Sequence, residues 1–368
     1  MPETSFNLAV CIPTYRRPEL LRQLLTDLSR QTIAIDRLIV VDGDPSSRDV
    51  PQTAAATPCQ ARELRYVPSN HANLPYQRFV GWKAAAGAKW LLYLDDDMRL
   101  RHPDSIERLI RPLRASRGRV VGTTSEFEAS PDARSANGNT SHRGPSFVDA
   151  LLRSGRRFGS SRRVAAGDLS AAGHRRPALD RNKPYERVGW LRGGAMAYRM
   201  SAITADCFCE ALFAMSEHGW GLGEDTLLSR RIGSRGVLLT TFRAGFVHPA
   251  GDRTVAYRRT AFGRGYATAY SRRLLNDHFR GFEPPRWADR LALAKSAAAH
   301  ALLAWFAALR GADTQAAAFA SGYTLGGIRG LLQSPTSGRL CPAIDWRADA
   351  DATLLEARTL SIAPAWHP

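Results

Sequence analysis

Trp90-Leu91-Leu92-Tyr93-Leu94 runs without a break into Asp95-Asp96-Asp97. Five apolar residues in a row read as a strand buried on both faces, which is the pattern of a parallel sheet. Three carboxylates directly behind such a strand repel one another unless something neutralises them. A hard divalent cation does so, and it can hold a diphosphate at the same time. The fold must therefore deliver an acidic cluster to the edge of a buried sheet, where open α/β sheets bind their ligands.

The sequence ahead of this strand repeats the arrangement. Residues 7–12 form a short apolar run ended by Pro13, and residues 37–41 form another that ends at Asp42-Gly43-Asp44-Pro45. Between them, Pro18 opens a stretch in which Leu20, Leu21, Leu24, Leu25 and Leu28 recur at helical spacing, so residues 18–31 read as a helix. Residues 46–63 read as a loop, 64–67 as a third strand, and 74–86 as a helix closed by Gly87. Residues 103–117 read as a helix and 120–124 as a strand. Strands alternating with helices imply a mostly parallel sheet covered on both faces, an α/β Rossmann-like domain. Thr14-Tyr15-Arg16-Arg17, the pair Asp42 and Asp44, and Asp95-Asp96-Asp97 each follow a different strand. Three polar clusters at one sheet edge should converge on a nucleotide pocket.

Residues 125–188 are rich in Ser, Gly, Arg and Asn and read as a mobile insertion. After it, residues 191–200 and 237–241 read as strands, residues 224–232 as a short helix, and Phe246-Val247 leads to His248. From Tyr257 onward the texture changes to Ala/Leu/Arg-rich helices over 257–279, 287–309 and 314–332. The most apolar part, 291–309, contains Lys295 and His300 and is dominated by Ala. It is expected to be a packed or interfacial helix and not a membrane span. The organisation read from this is one α/β domain over 1–252, in two parts, 1–124 and 189–252, which the family resemblance given below would make the donor half and the acceptor half of a catalytic domain. A helical region at 253–335 and a tail at 336–368 follow.

The net charge of +17 is concentrated: residues 143–199 carry 13 basic against 4 acidic residues, and residues 253–310 carry 11 against 3. The rest of the chain balances, so two stretches are set to face something anionic, such as a phosphate-bearing acceptor or an anionic membrane surface. No nucleic-acid partner is expected, because neither zinc-finger spacing nor an RRM-like aromatic signature occurs. The five cysteines form no CxxC pair, so no zinc site or disulfide framework is expected. No Gly-Lys-Ser/Thr loop occurs, and Gly263-Arg264-Gly265 lacks its third glycine after a strand, which argues against an NTPase or a dehydrogenase. The start of the chain has no basic-then-apolar leader, so the expected location is cytoplasmic, or peripheral on the inner face of a membrane.

Seven segments carry a resemblance in a fixed order: residues 11–17, CIPTYRR; 40–44, VVDGD; 77–81, QRFVG; 94–97, LDDD; 193–199, GGAMAYR; 220–225, WGLGED; and 246–248, FVH. Together they resemble glycosyltransferase family 2, whose GT-A fold the catalytic domain is expected to share. The family more often has two adjacent acids where this chain has Asp42-Gly43-Asp44. The resemblance implies an inverting transferase that takes a sugar from a nucleoside diphosphate, most often a uridine diphosphate, and passes it to an acceptor hydroxyl on a glycan or lipid-linked molecule. Pro13, Thr14, Tyr15, Arg17, Asp42, Asp44, Arg78, Asp95 and Asp96 would bind the donor. Asp97, Asp95 and His248 would hold Mn²⁺ or Mg²⁺. Gly193, Gly194, Trp220 and Glu224 would lie against the acceptor, with Asp225 as the catalytic base, although Glu224 stays open as the base. Both acids also suit the dipole of a helix start. The rival enzyme, a sugar-phosphate nucleotidyltransferase, would want a Gly-rich loop after the first strand, and Pro13-Thr14-Tyr15-Arg16-Arg17 has none. A basic membrane- or nucleic-acid-binding protein is the non-enzymatic alternative.

Overall fold

Leu8–Thr14 forms strand β1, and all seven of its side chains are buried. A strand with no polar face needs cover on both sides. In the computed structural model, which describes residues 6–128, 167–175, 182–219, 221–248, 260–311, 314–332 and 344–362, it lies inside a nine-stranded sheet. Helix α1 is Pro18–Leu28 and helix α2 is Asp49–Ala56, with β2 (Ile35–Asp42) between them and β3 (Ala61–Pro68) after them. Helix α3 (Leu74–Ala84) leads to β4 (Trp90–Leu94), the short β5 (Arg99–Leu100), α4 (Ser105–Ala115) and β6 (Val120–Ser125). Strands β2 and β4 flank β1 in parallel register, and β3 runs parallel beyond β2. The expected parallel α/β sheet is present, and Thr14, Asp42 and the acids after Leu94 stand at its C-terminal edge.

The second half of the sheet is mixed. Strand β7 is Tyr185–Val188 and β8 is Ala195–Arg199; helices α5 (Glu210–Glu217) and α6 (Glu224–Gly233) precede β9 (Val237–Thr241) and β10 (Phe246–Val247). Strand β8 inserts antiparallel between β4 and β6, and β9 lies parallel to β6 with β7 at the edge. Most of the expected insertion lies outside the described residues, but its last four residues form β7. Helix α2 occupies part of the expected 46–63 loop. Its three buried residues, Val50, Pro51 and Ala54, are too few and too unevenly spaced to announce a helix.

The C-terminal region holds α7 (Ala261–Asp277), α8 (Trp287–Gly311) and α9 (Thr314–Leu332). Helices α7 and α9 approach until their backbones touch: a Cβ on Gly322 would stand 2.0 Å from the Phe262 carbonyl oxygen, and one on Gly326 2.6 Å from that of Tyr266. No residue larger than glycine fits there without moving a helix. Helix α7 packs through Tyr266, Tyr270, Leu274 and Leu275 against Leu169, Leu212 and Leu227. The expected tail is more than a tail. Helix α10 (Trp346–Leu355) buries Trp346 against His71, Tyr76 and Phe213, and β11 (Arg358–Leu360) closes the sheet antiparallel to β3. Three residues are too few for a strand to be read from alternation.

Candidate active site

Helix α3 begins at Asn73, whose side chain accepts the Tyr76 N–H at 3.2 Å, with a proline in the first turn. This start fixes two neighbouring side chains. Gln77 Nε2 donates to the carbonyl oxygens of Thr14 and Val41, both at 2.9 Å, and so ties the ends of β1 and β2 together. Arg78 turns the other way. Its guanidinium donates to Asp95 Oδ1 at 2.7 Å and to Glu224 Oε1 at 3.0 Å, and the side chain is 1% exposed. A buried arginine thus joins the acidic cluster after β4 to the first turn of α6.

Around these residues lies a cavity of about 210 Å³ lined by Pro13, Thr14, Tyr15, Arg17, Leu74, Gln77, Asp95, Asp96 and Asp97. Seven of the residues expected from the sequence therefore share one pocket. Thr14 Oγ1 donates to Asp96 Oδ2 at 2.8 Å, and Arg17 donates to Asp96 Oδ1 at 3.2 Å while standing 3.6 Å from Asp97. Burial still pushes Asp96 up to about 7, with its acidic neighbours adding to the rise. Burial also raises Asp97, against the pull of His248. A larger cleft of about 630 Å³, lined by Arg187, Arg230 and Phe279 among others, sits at the far end of α6 and contains none of the expected residues.

Asp42 and Asp44 stand apart from the pocket lining. Asp42 is fully buried, accepting the Asp44 N–H at 3.0 Å and the Tyr66 hydroxyl at 2.9 Å, and burial raises it to about 6. In this arrangement it holds the loop that carries Asp44. Asp44 pairs with Arg16 and Ser46, which keep it below the usual carboxylate range.

Asp225 is buried at the N-terminus of α6. Its Oδ2 accepts the Gly193 N–H at 2.9 Å and its Oδ1 accepts the Thr226 N–H at 2.7 Å. Gly194 adopts φ +97° and its carbonyl oxygen accepts the Asp95 N–H at 2.9 Å. The Gly193-Gly194 turn therefore bridges the acidic cluster to Asp225. Burial and the Asp225 charge raise Glu224, against the pull of Arg78. Trp220 lies outside the described residues. The motifs did not single out Leu74, gave Gln77 no role although it opens the 77–81 segment, and did not include Arg175, whose guanidinium stands 3.6 Å from Asp225. The Arg175-Arg176 pair shows in sequence as surface charge, not as a contact to an acid.

A divalent ion fits part of the expected ligand set. Asp97 Oδ1 is buried with no hydrogen-bond partner, and His248 Nε2 faces it at 3.6 Å. Two donors each about 2.1 Å from a shared ion stand roughly 3–4 Å apart. Asp95 differs, since its Oδ1 is engaged by Arg78. No three His, Cys, Asp or Glu side chains among the described residues converge on one metal position. A hard cation here would take one carboxylate and one imidazole from the chain and the rest from phosphate oxygens and water, as such ions commonly do.

Residues 9–165 match the family profile described as Glycosyl transferase family 2. Over that stretch, less than half of the chain, the protein is similar to glycosyltransferase family 2. Its mixed, mostly parallel sheet is the one expected of the GT-A fold, with a helical region appended. The match runs from β1 past β6 but stops short of Gly193, Asp225 and His248. No curated protein matches the chain by sequence. Among solved structures, a mannosyltransferase from Pyrobaculum calidifontis, PcManGT, in complex with GDP-Man and Mn²⁺ is 14% identical with a TM-score of 0.47, covering 89% of this chain and 87% of that one. GalNAc-T7 with UDP, GalNAc and Mn²⁺ is 13% identical at 0.46, over 76% and 49% of the two chains. Residues 1–349 of S. aureus TarS in complex with UDP-GlcNAc are 11% identical at 0.45, over 88% and 90%.

Proposed function

We propose that the transferase moves a sugar from a nucleoside diphosphate to an acceptor hydroxyl with inversion at the anomeric carbon. The observation that carries this reading is the buried guanidinium of Arg78, which ties Asp95 of the pocket lining to Glu224, the chain neighbour of Asp225. Pro13, Thr14 and Tyr15 would take the base and ribose, uridine being the base the resemblance favours, and the diphosphate would lie toward Asp97 and Arg17. Asp97 and His248 would hold the ion, and the neutral imidazole suits Mn²⁺. When bound, that ion neutralises charge gathering on the departing diphosphate. Asp225 takes the acceptor hydroxyl proton as the acceptor oxygen bonds to the anomeric carbon and the bond from that carbon to the diphosphate oxygen breaks. The N–H groups of Gly193 and Thr226 hold the carboxylate in place for this step. Glu224 is engaged by Arg78, which makes it the residue that orients Asp225's turn and leaves the base role to Asp225.

The test is a donor screen. The protein is incubated with Mn²⁺, an acceptor mixture and a panel of nucleotide sugars, and released nucleoside diphosphate is measured. Release from one class of donor, abolished by excess EDTA, is the expected result. Undiminished release in EDTA would remove the ion from the mechanism. Transfer of a nucleotidyl group from a nucleoside triphosphate to a sugar phosphate would replace the whole reading.

A further inference from the structure

Of the twelve large hydrophobic side chains exposed among the described residues, ten lie on α8 and α9. They are not scattered. On α8, Leu302, Trp305 and Leu309 follow the i, i+3, i+7 spacing of one helix face, and on α9 Leu325, Ile328 and Leu332 do the same. The two stripes adjoin, because Trp305 Nε1 donates to Thr324 Oγ1 at 3.1 Å and a Cβ on Gly327 would meet that of Ala297 at 3.9 Å. A continuous apolar face of this kind is uncommon on a protein that meets only water.

The charge around the face is mainly basic. From Arg286 to Leu332 the sequence carries five basic residues against two acids: Asp289, which is buried against Arg280, and Asp313, which lies outside the described residues. Arg286, Lys295 and Arg310 are exposed. We propose that the α8–α9 face docks on an anionic lipid bilayer, with its apolar side chains in the headgroup boundary and these cations against lipid phosphates. Exposed basic residues beside an apolar helical face are what peripheral attachment requires. A second copy of this chain is the poorer occupant. It would set the same cations against themselves, in a chain already carrying +17.

The helix lies on the bilayer and does not cross it. By length and composition α8 could span, but it is tied to the rest of the protein along its length, with the Asp289 carbonyl accepting from Asn276 Nδ2 at 2.9 Å and Trp305 donating to Thr324. Its inner side carries Ser296 and His300, both buried, and Ser296 Oγ meets His174 Nε2 at 2.8 Å. That contact pins α8 to the acceptor side of the catalytic part, where α7 also packs. Docking would turn this side toward the lipid, which suits an acceptor carried on a lipid; this last consequence rests on the role given to Asp225, whereas the docking itself does not.

The experiment sediments the full-length protein with phosphatidylglycerol–phosphatidylcholine vesicles and with pure phosphatidylcholine vesicles. Binding is expected to the first and not to the second, weakening as salt is raised. The double variant Leu302→Ser/Leu309→Ser should bind on the order of tenfold more weakly or worse. Both side chains are exposed, so its melting temperature and donor binding should match the wild type. Vesicle binding by the variant equal to the wild type overturns the proposal, as does equal binding to neutral and anionic vesicles. A lipid-free dimer that the same double variant dissociates would assign the face to a second copy instead.

Discussion

Replacing Arg78 with Met keeps the length of the side chain and removes its charge. Asp95 and Glu224 would then sit in the interior with no counter-charge between them. Breaking a buried pair from one side typically costs about 3–5 kcal/mol. The two carboxylates keep 26% and 20% of their side-chain surface exposed, so water shares the burden and the low end, about 3 kcal/mol, applies. In a chain of this size that corresponds to a fall in melting temperature of about 6 °C, at about 2 °C for each kcal/mol. The sign with pH discriminates further. Glu224 is already raised by burial and by the Asp225 charge, and without Arg78 it loses the pull that opposes the rise. A raised acid contributes its full stability below its unfolded value and loses it as pH rises through the folded one. The deficit of Arg78→Met should therefore be largest at alkaline pH and shrink in mild acid, and Glu224→Gln in the same background should recover part of it. Differential scanning calorimetry of the three proteins at several pH values measures this. A deficit under about 1 kcal/mol that does not change with pH would show that Arg78 fills space and does not link charges.

Asp225→Asn should leave donor affinity nearly intact while lowering turnover by about 10²–10⁴-fold, the usual cost of a missing general base; calorimetric donor titration beside initial rates separates the two, and collapsed affinity would place Asp225 in the donor site. Asp97→Asn should lose Mn²⁺-dependent donor binding, read by titrating the donor with and without the ion; unchanged binding in its presence would exclude Asp97 as a ligand. Gly322→Val should destabilise by more than the roughly 1–3 kcal/mol typical of overpacking, because its Cβ meets the Phe262 carbonyl oxygen at 2.0 Å. Gly327→Ala, five residues along the same helix with ordinary contacts, should instead stabilise by about 0.5–1 kcal/mol in a denaturant titration.

The donor half was legible because its signals are local. A buried strand declares itself in five consecutive residues, and a polar cluster behind it marks the sheet edge. Pro13, Thr14, Tyr15, Arg17 and the three acids can therefore be placed together from the sequence alone. Strand β8 could be read as a strand, but not as one that runs antiparallel between β4 and β6, since pairing direction leaves no mark on a run of small apolar residues. The distinction between Asp42 and Asp44 was hidden for a related reason. Asp42 ends the strand that Asp44 follows, yet one points inward to the Tyr66 hydroxyl and the other outward to Arg16. Arg78 shows the limit most clearly. From sequence it is one cation on a helix, and pairing it with a donor phosphate or with solvent would fit the pattern equally well. Its actual partners lie 17 and 146 positions away, one on each half of the sheet. Only after both halves have folded do Asp95 and Glu224 share a guanidinium, so this junction is a property of the tertiary fold that no single motif encodes. The bland basic surplus of 253–310 has the same character: it acquires a direction only when α8 and α9 pair and leave their apolar stripes side by side.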